Sequence, residues 1–105
     1  MASKRFYKYL NNEGTERLRF KIITQKGKVI DIVVQYETMI DGKWTAIVRY
    51  DCSHGFFHRD LLIPNGSQEK TTIAIEDLNI AIGYAEQELK DNWEIYKQKY
   101  LKASK

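Results

Sequence analysis

Both histidines of this 105-residue chain fall in one short run, Arg49-Tyr50-Asp51-Cys52-Ser53-His54-Gly55-Phe56-Phe57-His58-Arg59-Asp60. The same run holds two arginines, two aspartates and the single cysteine. If a hairpin turns near His54-Gly55, a simple antiparallel register sets Asp51 opposite His58 and Arg49 opposite Asp60. All four then share the sheet face opposite Tyr50 and Val48. A carboxylate beside an imidazole orients the ring and suits it to general acid–base work. Asp51 would orient His58, and His54 on the turn would supply a second acid or base. Arg49 or Arg59 would hold a phosphate or offset developing negative charge. Two histidines and a cation are sufficient parts for metal-independent RNA cleavage. The same residues also make plain cross-strand charge pairs, each stabilising a sheet by about 0.2–1 kcal/mol.

Two other chemistries use this run. Asp51, His54, His58 and Asp60 offer two nitrogens and two carboxylates, a donor set that zinc, manganese or iron accepts. Their spacing matches no established metal motif, and the sequence calls for no cofactor. Cys52 lies two residues before His54, so the two could act as nucleophile and base. A lone cysteine is more often a small buried hydrophobe.

The chain carries a net charge of +3, distributed unevenly. Residues 1–28 hold eight Lys/Arg against Glu13 and Glu16, and the remainder is slightly acidic. A basic third of this kind is a potential footprint for phosphate. Arg5-Phe6-Tyr7-Lys8-Tyr9 interleaves cations with rings able to stack on unpaired bases. With Arg17, Arg19 and Lys21 it forms a candidate surface for RNA or another acidic partner. No helix-turn-helix, zinc-finger or ribonucleoprotein signature accompanies it.

These groups need a scaffold, and hydrophobic periodicity supplies one. Leu18, Phe20 and Ile22 alternate with Arg17, Arg19 and Lys21, as in a half-buried strand with a basic outer face. Ile30, Ile32, Val34 and Tyr36 alternate in the same way after a turn at Lys26-Gly27-Lys28. Asp41-Gly42 is a hairpin signal, after which Trp44, Ala46, Val48 and Tyr50 are expected to face inward. Further strands are expected at Phe57–Ile63 and Glu69–Ala74. Phe6–Leu10 would add a strand or lie across the sheet. From about Glu76 to Lys102, Leu78, Ile82, Ala85, Leu89, Trp93, Tyr96 and Tyr100 form one helical stripe. Gly83 interrupts that helix and is expected to mark close contact with the sheet. The sequence thus predicts a single α+β domain over residues 1–105. Its architecture is an antiparallel meander of four to five strands packed on one long C-terminal helix. Residues 1–5 and 103–105 are expected to fray. The final helical turns, with Tyr100 and Leu101, would be free to close a homodimer. No apolar run approaches the ~20 residues of a membrane span, and the start lacks a signal-peptide core, so a cytoplasmic protein is expected.

The segment Arg49-Tyr50-Asp51-x-x-His54-Gly55-x-x-His58-Arg59-Asp60 carries a resemblance. Together with Glu69-Lys70-Thr71, Asp77-Leu78 and Asn92-Trp93-Glu94-x-Tyr96, it is similar to a family of small bacterial and archaeal proteins whose domain has no known function. The likeness runs from about Arg17 to Tyr100. A looser likeness, confined to Arg49, Tyr50, Asp51, His54 and His58, is to TumE-type toxins of prokaryotic toxin–antitoxin modules. It implies an RNA-acting, toxin-like protein. The expected site is therefore His54, His58 and Asp51 for catalysis, with Arg49, Arg59, Asp60, Arg17, Arg19 and Lys21 for binding. The alternative is a non-catalytic protein-binding or homodimeric module.

Overall fold

The computed structural model describes residues 1–104, and the side chain of His54 lies outside the described residues. Six strands run in the order β1 (Ala2–Tyr9), β2 (Glu16–Gln25), β3 (Lys28–Ile40), β4 (Lys43–Asp51), β5 (His58–Leu62) and β6 (Gln68–Thr72). Each pairs antiparallel with its neighbours in sequence, and a single helix, α1 (Leu78–Ala103), closes the fold. The α+β meander agrees with the sequence, but the expected four to five strands are six. The additional strand is the opening one. Residues 2–5, expected to fray, pair with β2 as part of β1.

Local chemistry explains the two long hairpins. Lys26-Gly27 and Asp41-Gly42 all have positive φ, the signature of two-residue loops whose twist matches the flanking strands. Along β2, Leu18 and Phe20 are buried, and along β3 so are Ile32, Val34 and Tyr36. They meet Val48 and Tyr50 of β4 and the buried stripe Ala81, Ala85 and Leu89 of α1. Two alanines at the contact let the helix backbone approach the sheet. Gly83 plays no such part, because it is exposed and nothing lies within 4 Å of where its Cβ would stand. The helix starts at Asp77, whose carboxylate accepts from the backbone N–H groups of Asn79 and Ile80.

Simple alternation fails in β4. Tyr36 pairs with Val48 but Glu37 pairs with Ala46, so Ile47 is an extra, bulged residue. The bulge reverses the facing of everything before it. Ile47 becomes buried, whereas Trp44, expected inside, lies beneath the Arg17 guanidinium on the helix-free face. At the far end of α1, Trp93, Tyr96 and Tyr100 pack against the core. Tyr100 and Leu101 are half-buried, so the large apolar residues exposed on the helix are Ile80, Tyr84 and Ile95 instead.

Polar contacts also tie the helix to the sheet. Lys8 of β1 meets Glu86 at 2.8 Å, and Tyr50 donates to Glu88 at 2.5 Å. Glu16, 2% exposed, accepts from Tyr36 at 2.6 Å and from Lys97 at 2.7 Å. Burial by itself would raise the Glu16 pKa, but the Lys97 ammonium and the Tyr36 hydroxyl outweigh it and hold the carboxyl below its usual range.

Two stability measurements follow. Gly83→Ala should stabilise the fold by about 1 kcal/mol, since the helix gains propensity and the site has room. Chemical denaturation would read this directly. A carboxyl whose pKa is depressed in the folded state contributes stability above its unfolded pKa, and that contribution is lost as pH falls through the folded value. Lys97→Met should therefore cost about 1–3 kcal/mol at pH 7. It should also flatten the loss of stability below the ordinary glutamate value of 4.5.

Candidate functional site

The helix-free face of the sheet gathers the residues singled out by their chemistry. Strand register puts them in three rows. One row reads Arg5, Lys21, Val33, Asp51, His58 and Thr72 from β1 to β6. The next reads Tyr7, Arg19, Gln35, Arg49, Asp60 and Lys70. The third reads Tyr9, Arg17, Glu37 and Ala46. The inferred pairing of Asp51 with His58 and of Arg49 with Asp60 is the observed one. A short 3-10 turn at Ser53–Gly55, with Gly55 at φ 85, opens the connection between β4 and β5.

Arg59 departs from the expected set. Its neighbours in register are Tyr50 and Thr71, so it stands on the helix side. There its Nη1 donates to the Tyr96 hydroxyl at 3.2 Å. Tyr96 in turn sits 2.7 and 2.9 Å from the two Glu88 oxygens. Burial, reinforced by Glu88, pushes the Tyr96 pKa up to about 12. Tyr50 moves up as well, for the same two reasons. This Arg–Tyr–Glu network was invisible to period-two reasoning, which reads a charged residue on the inner phase as a fault. It fastens β4 and β5 to α1.

On the helix-free face the polar side chains hold one another. Arg17 Nε donates to Glu37 at 2.7 Å, Gln35 donates to Glu37 at 2.6 Å, and Arg49 Nε donates to Gln35 at 2.7 Å. The Arg17 guanidinium is also sandwiched between the rings of Tyr7 at 4.1 Å and Trp44 at 3.8 Å. Burial would lower the Arg17 pKa, but Glu37 and the neighbouring tyrosines more than compensate and raise it. Arg5, Arg19 and Lys21 join no ion pair among the described residues. Tyr7 and Tyr9 are about half exposed beside them.

His58 is not a surface residue, although its strand face carries no second layer. It has no exposed area. The Phe56 ring, 5.4 Å from the imidazole by centroid, covers it. Its Nδ1 lies 3.2 Å from the Phe56 carbonyl, which can only accept, so Nδ1 carries the proton there. Its Nε2 faces two carboxylates, Asp51 Oδ1 at 2.8 Å and Asp60 Oδ2 at 3.5 Å. Asp51 Oδ1 also accepts from the Ser53 N–H and hydroxyl. Ionic contact and hydrogen-bond geometry part company here. The 2.8 Å separation is short, yet the oxygen lies off the line of a ring N–H, and Nε2 makes no hydrogen bond. Asp60 Oδ1 is likewise buried without a partner. The side chain of His54, the other proposed acid–base group, lies outside the described residues.

Cys52 donates to Asp31 at 2.9 Å. Burial, then the Asp31 carboxylate, pushes its thiol up to about 11. A nucleophilic thiolate would need a shift in the opposite direction.

The fold and site define a class of small α+β proteins with one helix-covered sheet face and one open, basic and aromatic face. The chain belongs to the family described as Domain of unknown function (DUF7718), whose model matches residues 1–105. No curated protein and no solved structure matches it.

Cys52 offers a direct check on the electrostatics of the β4 end. Alkylation by iodoacetamide should be slow at pH 8 and should rise about tenfold per pH unit towards pH 10. Asp31→Asn should speed the pH 8 reaction by removing the negative charge that disfavours the thiolate. An unchanged rate in that variant would leave burial as the whole cause.

Proposed function

We propose that the helix-free face of the sheet binds single-stranded RNA. The observation carrying this reading is the group Arg5, Arg19 and Lys21. These are three neighbouring cations without ion-pair partners among the described residues, beside the exposed rings of Tyr7 and Tyr9. Unpaired cations on a surface attract phosphate, and exposed rings stack on bases without demanding a sequence. Arg17, held between Tyr7 and Trp44 and fixed by Glu37, stiffens the platform rather than contributing a free charge. Arg49 is engaged with Gln35 and has a similar supporting role.

Binding is favoured over cleavage. Metal-independent RNA cleavage by a pair of histidines needs both rings at the substrate, and no part of His58 reaches the surface. The toxin-like reading of Asp51, His54 and His58 as a catalytic set therefore lacks the access it needs. The arginines and lysine of β1 and β2 do not depend on it.

Fluorescence anisotropy with a labelled oligouridylate tests the proposal. Three phosphate contacts predict that affinity falls by about twentyfold between 50 and 200 mM salt. Arg19→Glu combined with Lys21→Glu should abolish the complex. Tyr9→Ala should weaken it by about 1–3 kcal/mol if a base stacks there. The absence of any salt-sensitive complex at micromolar protein would overturn the proposal.

A further inference from the structure

We propose that Asp51, His58 and Asp60 form a binding site for one divalent first-row transition-metal ion, of the zinc or manganese kind. One ligand atom from each of the three lies within 4.8 Å of the others. Acidic clusters are common, but here the imidazole itself is aimed into the cluster. Nδ1 is committed to the Phe56 carbonyl, which leaves Nε2 directed at the two carboxylates. That nitrogen belongs to a side chain with no exposed area, and it makes no hydrogen bond. Asp60, whose side chain is 4% exposed, brings a second unpartnered buried atom, Oδ1.

The separations suit co-ligands of one ion. Donors about 2.0–2.2 Å from an ion, at angles near tetrahedral or octahedral, stand about 2.8–3.6 Å apart. The observed separations from Nε2 are 2.8 and 3.5 Å, with the nearer oxygen off the N–H line. Two buried carboxyl groups face the same ring nitrogen, a donor set that suits a cation. Arg49 stands opposite Asp60 in register, but its Nε is turned to Gln35.

The supporting groups are those of a metal-binding histidine. A backbone carbonyl fixes the tautomer through Nδ1, and Ser53 holds the Asp51 carboxylate through its N–H and hydroxyl. One nitrogen with two carboxylate oxygens selects zinc, manganese or iron over magnesium or calcium. Of the three side chains, Asp51 is the one nearest to solvent, at 12% exposure. A bound ion would clip β4 to β5 at the root of their connection. The inference does not rest on RNA binding, and either can fail alone.

Tag-free full-length protein, stripped with EDTA and titrated with Zn2+ by calorimetry, provides the test. We expect one ion per chain and a Tm raised by several degrees in the zinc-loaded protein. Asp60→Asn and His58→Gln, with folding verified by circular dichroism, should each weaken Zn2+ binding at least tenfold. Asp91→Asn, an acidic change on the outer face of α1, should leave it unchanged. Substoichiometric Mn2+ added to the labelled parent protein should broaden the NMR signals of Asp51, His58 and Asp60 first, which keeps the test open if a variant fails to fold. Absence of binding, an unchanged affinity in folded Asp60→Asn, or broadening centred elsewhere would each overturn the site.

Discussion

A helix of 26 residues is about 39 Å long and about 10 Å across, whereas six strands at about 4.8 Å spacing span roughly 24 Å. One helix therefore covers the middle of one sheet face, and α1 lies over β3 and β4. The apolar core follows that footprint, with buried side chains concentrated in β2, β3, β4 and α1. The outer strands need other fastenings. β1 is held by Phe6 stacked on Phe20 at 4.7 Å and by Lys8 reaching Glu86. β5 is held by Arg59 and the Tyr96–Glu88 pair.

The uncovered face has to organise itself without a second layer. It does so with side chains that satisfy one another along the sheet, from Arg17 through Glu37 and Gln35 to Arg49. Two populations of basic residues result. Arg17 and Arg49 are tied into this ladder through their Nε atoms, whereas Arg5, Arg19 and Lys21 join no ion pair among the described residues. At the β5 end the same self-reliance becomes burial. The Phe56 ring packs against the His58 imidazole, and the two carboxylates facing that ring are buried as well, on a face with no second layer.

Much of this arrangement was legible in the residues. A turn near His54-Gly55 and a period of two were enough to place Asp51 against His58 and Arg49 against Asp60, because a short connection leaves little freedom of register. The helix was legible because its stripe repeats over seven turns. β1 was harder to read, since seven of its eight residues are exposed and only Phe6 signals a core. The bulge at Ile47 was hidden because Ala46, Ile47 and Val48 are apolar in both phases, so alternation there says nothing about facing. The burial of His58 had no signal in its own strand. It depends on an aromatic residue two positions earlier folding back over the ring. The inner position of Arg59 becomes intelligible once Tyr96 and Glu88 are seen to converge on it from a distant part of the chain.

The unbroken neighbour-to-neighbour strand order carries a kinetic implication. Every ladder closes over a short stretch of chain, so little loop entropy opposes its formation. The hairpins around Lys26-Gly27 and Asp41-Gly42 can assemble early, their turns already biased toward the right twist. Only α1 must travel, returning from beyond the β6 edge to the centre of the sheet. Its arrival is the one non-local event in the pathway, and the hydrophobic half of the sheet stays bare to solvent until it occurs.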